Sequence, residues 1–179
     1  YKDVMSRKSE IMKEALGFDY DQFEGDGKGF DYEKMMKASG YTLSDVREIQ
    51  ISQNVGQTPL VELKRLSAYA RKFAPKGYGA RIFLKDEAAN ISGSFKARRA
   101  AMSVHQAKKL GYKGVVAATS GNYGAAVAAL AAKAGLKCII VQECYDSDGI
   151  GQPEIIEKAR ACEAYGAEVI QLSVGPELF

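Results

Sequence analysis

Two short segments concentrate the side chains that could do chemistry: Ser92-Gly93-Ser94-Phe95-Lys96 and Thr119-Ser120-Gly121-Asn122. In the first, Lys96 follows a Ser-Gly-Ser turn and falls at the start of a helical stretch, where a cation is unwelcome. Arg98 and Arg99 add like charge. An amine in that setting suits capture of a carbonyl carbon as a Schiff base. The same spacing is equally that of a basic helix face exposed to water. In the second segment a turn leads into an alanine-rich helix, whose free N–H groups and positive end suit a carboxylate or phosphate. Gly121 permits close backbone approach, and Asn122 offers both donor and acceptor. Ser-Gly-Asn is also ordinary turn and cap chemistry.

Other catalytic arrangements fail on spacing. Ser94-Phe95-Lys96 is one residue short of S-x-x-K, and Thr119-Ser120-Gly121 does not make G-x-S-x-G. Gly121-Asn122-Tyr123-Gly124 lacks the first glycine of a dinucleotide fingerprint. His105 is the only histidine, which argues against a multi-histidine metal site; no metal is expected. Cys138, Cys144 and Cys162 show no C-x-x-C spacing, so reduced thiols are the simplest account. Gly25-Asp26-Gly27-Lys28-Gly29 imitates a phosphate loop but lacks the G-K-[ST] ending and reads as a turn.

The elements that must position the two segments follow from periodicity. Apolar residues at helical spacing predict a helix over 3–16, a second over 31–39, and a third opened by a Thr42/Asp45 capping box. Residues 58–63 and 81–86 read as strands, with a short helix over 66–73 between them. A helix is predicted over 95–110, a strand over 115–119, a helix over 123–134 and a strand over 138–142. Pro153 suits the first position of a helix ending before Gly166, and a last strand covers 167–173. The fold class is therefore α/β: a βαβαβ unit with a parallel twisted sheet and helices on both faces, preceded by a helical N-terminal extension. In such sheets ligands lie beyond the carboxyl ends of the strands.

With 179 residues, 46% apolar and 26% charged, the chain is an ordinary globular protein that needs no disulfide to fold. The net charge of +3 is unevenly spread. Residues 64–113 hold 13 Lys/Arg against only Asp86 and Glu87, a block that favours an anionic ligand or forms a solvated face. The apolar stretch 114–135 is interrupted by Ser120, Gly121 and Asn122, so no membrane span is expected. The first residues carry no signal-like apolar run, which points to a cytoplasmic protein.

Taken in order, Gly56-Gln57-Thr58-Pro59-Leu60, the run from Lys85 through Ser94-Phe95-Lys96-Ala97-Arg98, and Ala118-Thr119-Ser120-Gly121-Asn122 resemble the fold-type II pyridoxal-phosphate enzymes. This is the tryptophan synthase β, threonine synthase and cysteine synthase superfamily. The N-terminal extension, the 144–148 loop and the ending at 171–179 look most like the β subunits of 2-amino-4-oxopentanoate thiolase. That resemblance implies pyridoxal 5′-phosphate as cofactor, with Lys96 forming the internal aldimine and moving the Cα proton. Asn122 would bond the cofactor's phenolic oxygen, with Ser94 close to the lysine. Thr119, Ser120, Gly121 and Asn122 would grip the substrate carboxylate. The implied reaction interconverts 2-amino-4-oxopentanoate and CoA with alanine and acetyl-CoA, in partnership with a small α subunit and in an oligomer.

The resemblance also divides the chain into an extension over 1–53, the start of a large cofactor-binding domain over 54–95, and a small Rossmann-like domain over 96–179. The superfamily's phosphate loop and pyridine-nitrogen partner lie further along, so the sequence reads as an N-terminal piece, inactive alone. A threonine synthase-like replacement or a dehydratase-type elimination uses the same loops. The alternative of another class is a non-catalytic anion- or nucleic-acid-binding module working through the basic block; on the enzyme reading no nucleic acid is bound.

Overall fold

The computed structural model describes residues 2–24, 29–119, 121–145 and 150–172. Ser120, most of the 25–29 glycine run, most of the 144–148 loop and the ending beyond Leu172 lie outside the described residues. The chain forms two compact units, 1–48 and 49–179.

In the first unit, the helix predicted over 3–16 is two helices, α1 (Lys2–Ser6) and α2 (Lys8–Leu16). The break has a local cause: the Ser6 hydroxyl donates to the Asp3 carbonyl at 2.7 Å, competing with the backbone ladder. Gly17 ends α2 in the left-handed region at φ 79°. A 3-10 turn (Asp21–Phe23) buries Phe23, which meets Phe18 edge-on with ring centroids 5.4 Å apart. In α3 (Tyr32–Ala38) the Asp31 side chain accepts from the Lys34 N–H at 2.9 Å. The predicted capping box opens α4 (Leu43–Ser52), with Thr42 Oγ1 accepting from Asp45 N at 3.2 Å and Asp45 Oδ2 accepting from Thr42 N at 2.7 Å. The boundary between the units falls within α4.

The second unit holds two sheets. β1 (Leu60–Glu62) and β2 (Phe83–Lys85) pair antiparallel, flanking α5 (Lys64–Arg71). Both strands are shorter than predicted, yet their bonding runs on: Asp86 N donates to Pro59 O and Leu63 N to Ile82 O, each at 2.9 Å. α6 (Lys96–Lys109) leads to β3 (Gly114–Ala118), α7 (Asn122–Ala134), β4 (Lys137–Glu143), α8 (Pro153–Ala164) and β5 (Glu168–Leu172). The three strands form a parallel sheet in the order β3-β4-β5, the predicted βαβαβ unit. Pro153 stands at the start of α8, as its fixed φ favours.

Two successive crossovers in one direction and of one hand place both helices on the same face. The core accordingly joins Val115, Ala117, Cys138 and Ile140 of the sheet to Ala125, Ala126, Leu130 and Cys162 of α7 and α8. On the opposite face Val116 is 69% exposed and Ile170 41%. The expectation of helices on both faces is therefore met on one face only, among the described residues. No described helix is long and apolar enough to cross a membrane.

Gly124 marks the tightest approach between helix and sheet. A Cβ there would lie 2.7 Å from Thr119 Cγ2 and 3.1 Å from Ile140 Cγ2. Gly124→Ala is expected to lower stability by about 1–3 kcal/mol despite alanine's better helix propensity, because the short Thr119 side chain must shift. Urea denaturation of the full-length protein measures the change.

Candidate functional site

Lys96 is the first residue of α6, half-buried, with its ammonium 4.9 Å from the Phe95 ring centroid. Its backbone N–H donates to Ser94 Oγ at 3.3 Å, and Ser94 is buried. The loop before it is pinned by Asn90, whose carbonyl accepts from Gly93 N at 2.8 Å. Gly93 has φ 71°, the left-handed conformation this turn requires. Ser92 Oγ is buried with no hydrogen-bond partner.

The second segment leaves the carboxyl end of β3. Thr119 is buried; its N–H donates to Val141 O at 2.9 Å, and its Oγ1 accepts from Gly121 N at 3.2 Å. Those two bonds set the turn from strand to helix. Asn122 is the exposed first residue of α7, and a Cβ at Gly121 would meet nothing within 4 Å. Ser120 lies outside the described residues.

Contacts along α6 and α7 bring the two segments to one end. Near their starts, the Arg99 guanidinium lies 4.6 Å from the Tyr123 ring centroid, and Ser103 Oγ is 3.3 Å from Tyr123 Oη. At their ends, Lys108 Nζ donates to Ala134 O at 3.2 Å. The helices therefore run in the same direction, with Lys96 and Asn122 both at their amino-terminal ends. Ala97, Ala100, Ala101 and Val104 of α6 and Ala125, Ala126 and Leu130 of α7 share one core, and the alanines permit close approach.

One group in this region escapes sequence reasoning. Arg98, read from the sequence as like charge beside Lys96, is neutralised instead. Its Nη2 and Nε donate to Glu87 Oε1 and Oε2 at 2.7 and 2.8 Å, a bidentate pair. Glu87 also accepts from Thr58 Oγ1 at 3.0 Å and Asn90 Nδ2 at 2.9 Å. The Arg98 guanidinium beside it, with those two donors, holds the Glu87 carboxyl at about 2. The available signal was Glu87's rarity: it and Asp86 are the only acids among 13 basic residues over 64–113. Of the other cations there, Arg81 pairs with Glu62 at 3.1 Å. Among the described residues no group of three or more His, Cys, Asp or Glu could hold a metal.

The family of pyridoxal-phosphate dependent enzymes matches residues 51–177, which include both segments and the Glu87–Arg98 pair. The chain belongs to that family. The 2-amino-4-ketopentanoate thiolase beta subunit of Acetoanaerobium sticklandii is 70% identical over all 179 residues, which span 38% of that relative's length. The threonine synthase of Halalkalibacterium halodurans is 38% identical over 118 residues, 65% of this chain and 29% of that one. Among solved structures, maize serine racemase is 26% identical with a TM-score of 0.58, covering 75% of this chain and 37% of that one. That solved structure shares the α/β fold described above over the matched part of the chain. The residues fit the family's cofactor: a half-buried primary amine at Lys96, an anion-favouring helix start at Asn122, an unsatisfied Ser92 hydroxyl, and open space beside Gly93 and Gly121.

Because the Glu87 carboxyl is depressed from 4.5 to about 2 in the folded state, the unfolded chain binds more protons between those values. The pair's contribution to stability is complete above about pH 4.5 and is lost as pH falls toward 2. Urea midpoints of the full-length protein are expected to fall over that window. In Glu87→Gln the fall is shallower.

Proposed function

We propose that this chain is the amino-terminal part of a pyridoxal-phosphate enzyme of the thiolase β-subunit type. The enzyme interconverts 2-amino-4-oxopentanoate (the ketopentanoate of the relatives' name) and CoA with alanine and acetyl-CoA. One observation carries the choice within the family: the 70% identity to the thiolase relative extends through residues 1–50, ahead of the family match at 51–177. The threonine synthase likeness covers 65% of the chain. A small α subunit completes the enzyme on this reading, and the thiolase relatives' designation as beta subunits supports it.

Pyridoxal phosphate, when bound, supplies the electron sink that lets an amino acid's Cα lose a substituent. Lys96 would hold the cofactor through its side-chain amine and would take and return the proton at the substrate's Cα. Asn122 would help hold the cofactor's ring by donating from its side-chain amide. Thr119, Ser120 and Gly121, with Asn122, hold the substrate carboxylate at the start of α7, where the helix end favours an anion. Ser94 backs the lysine through its bond to the Lys96 N–H. In this division residues 1–53 are a helical extension, 54–95 open the large domain and 96–179 belong to the small one.

The test uses full-length protein with its α subunit. A visible absorbance band is expected with bound pyridoxal phosphate, and borohydride is expected to fix the cofactor on Lys96. Alanine plus acetyl-CoA should release free CoA thiol, and Lys96→Ala should slow that release by about 10²–10⁴-fold. Turnover of phosphohomoserine or serine in place of alanine plus acetyl-CoA would assign the chain to the threonine synthase-like or dehydratase-type reactions. Salt-sensitive nucleic-acid binding without the band would replace the enzyme reading altogether.

A further inference from the structure

We infer that Glu87 and Arg98 are positioning residues for Lys96, fixing the first turn of α6 and hence the setting of the amine. The inference rests on the proposed role of Lys96. Residues two apart on a helix do not face each other, so Arg98 acts on Lys96 through the backbone. Phe95 precedes α6 and makes no capping bond, while Ser94 Oγ accepts from the Lys96 N–H at 3.3 Å. The helix start is also anchored from the other side. Gln50 Nε2 donates to the Arg98 carbonyl at 3.2 Å, and Arg98 Nη2 donates to Gly56 O at 3.2 Å. Gly56 N in turn donates to Asn90 Oδ1 at 2.9 Å, and Asn90 Nδ2 returns to Glu87.

The loop of bonds thus closes through three segments, the Gly56–Thr58 run, the 87–90 turn and α6, with the end of α4 joined to it at Arg98. Gly56 lies at φ 86°, and a Cβ there would sit 2.8 Å from Arg98 Nη1, so the guanidinium packs directly on backbone. An isolated surface ion pair contributes little and orients nothing. This pair is bidentate, shares its oxygens with Thr58 and Asn90, and ties the Thr58 run and the 87–90 turn to α6.

The experiment titrates apo full-length protein with pyridoxal phosphate, traps the product with borohydride, and maps the labelled lysines. It compares wild type with Glu87→Gln, Arg98→Lys and the double variant. Each single variant is expected to bind the cofactor about tenfold more weakly and to scatter label from Lys96 to other lysines. The double variant should lose no more than either single, because the two act as one unit. The pH midpoint of the bound cofactor's visible band should also be displaced, a readout that mere loss of stability leaves unmoved. Thr58→Val removes one donor to Glu87 and provides a milder case should the charged variants fail to fold; about threefold weaker binding is expected. Variants that melt earlier yet keep wild-type affinity, label position and pH midpoint would overturn the inference. Wild-type protein labelled elsewhere than Lys96 would overturn the cofactor reading and the inference with it.

Discussion

The arrangement depends on the half-buried Glu87–Arg98 pair. A carboxylate removed from water needs a partner that replaces its hydration. Arg98 supplies two bonds, and Thr58 and Asn90 supply two more. Satisfying this one charge draws together segments more than thirty positions apart, from Gly56 to Asn90 and from Gln50 to Arg98. The requirement that this half-buried charge be satisfied therefore helps fix the first turn of α6, and Lys96 stands at its beginning.

From there the geometry is set by small residues. The alanines of α6 and α7 let the helices pack closely in parallel, while Gly124 lets α7 settle on Thr119 and Ile140. Both starts then lie at one end, with the Arg99–Tyr123 contact bracing them. β3, paired in register with β4, delivers Thr119 to the same rim at its carboxyl end. Lys96 and the start of α7 at Asn122 thus lie at one end of the parallel pair, the placement that the proposed binding of a phosphorylated aldehyde and an amino acid's carboxylate uses.

Much of this was legible in the sequence because the signals were local. The Thr42/Asp45 box, Pro153 at the start of α8 and the apolar β4 run each fix their element from a few neighbouring residues. The break at Arg7 was hidden, since it turns on a Ser6 hydroxyl choosing the Asp3 carbonyl over water. The shared end of Lys96 and Asn122 was only implied by topology; helix direction depends on contacts 24 and 26 positions apart. Arg98 was misread because spacing reports neighbours along the chain, and its partner is 11 residues back across a turn. Ala97 has a physical place: it is fully buried in the core shared by α6 and α7.

The most direct measurement is a crystal structure of the full-length protein grown with pyridoxal phosphate and reduced with borohydride. The account predicts a covalent link from Lys96 Nζ to the cofactor, the Asn122 amide within about 3 Å of the ring oxygen, and Arg98 still clasping Glu87. A cofactor attached to another lysine, or lying away from the shared start of α6 and α7, would contradict it.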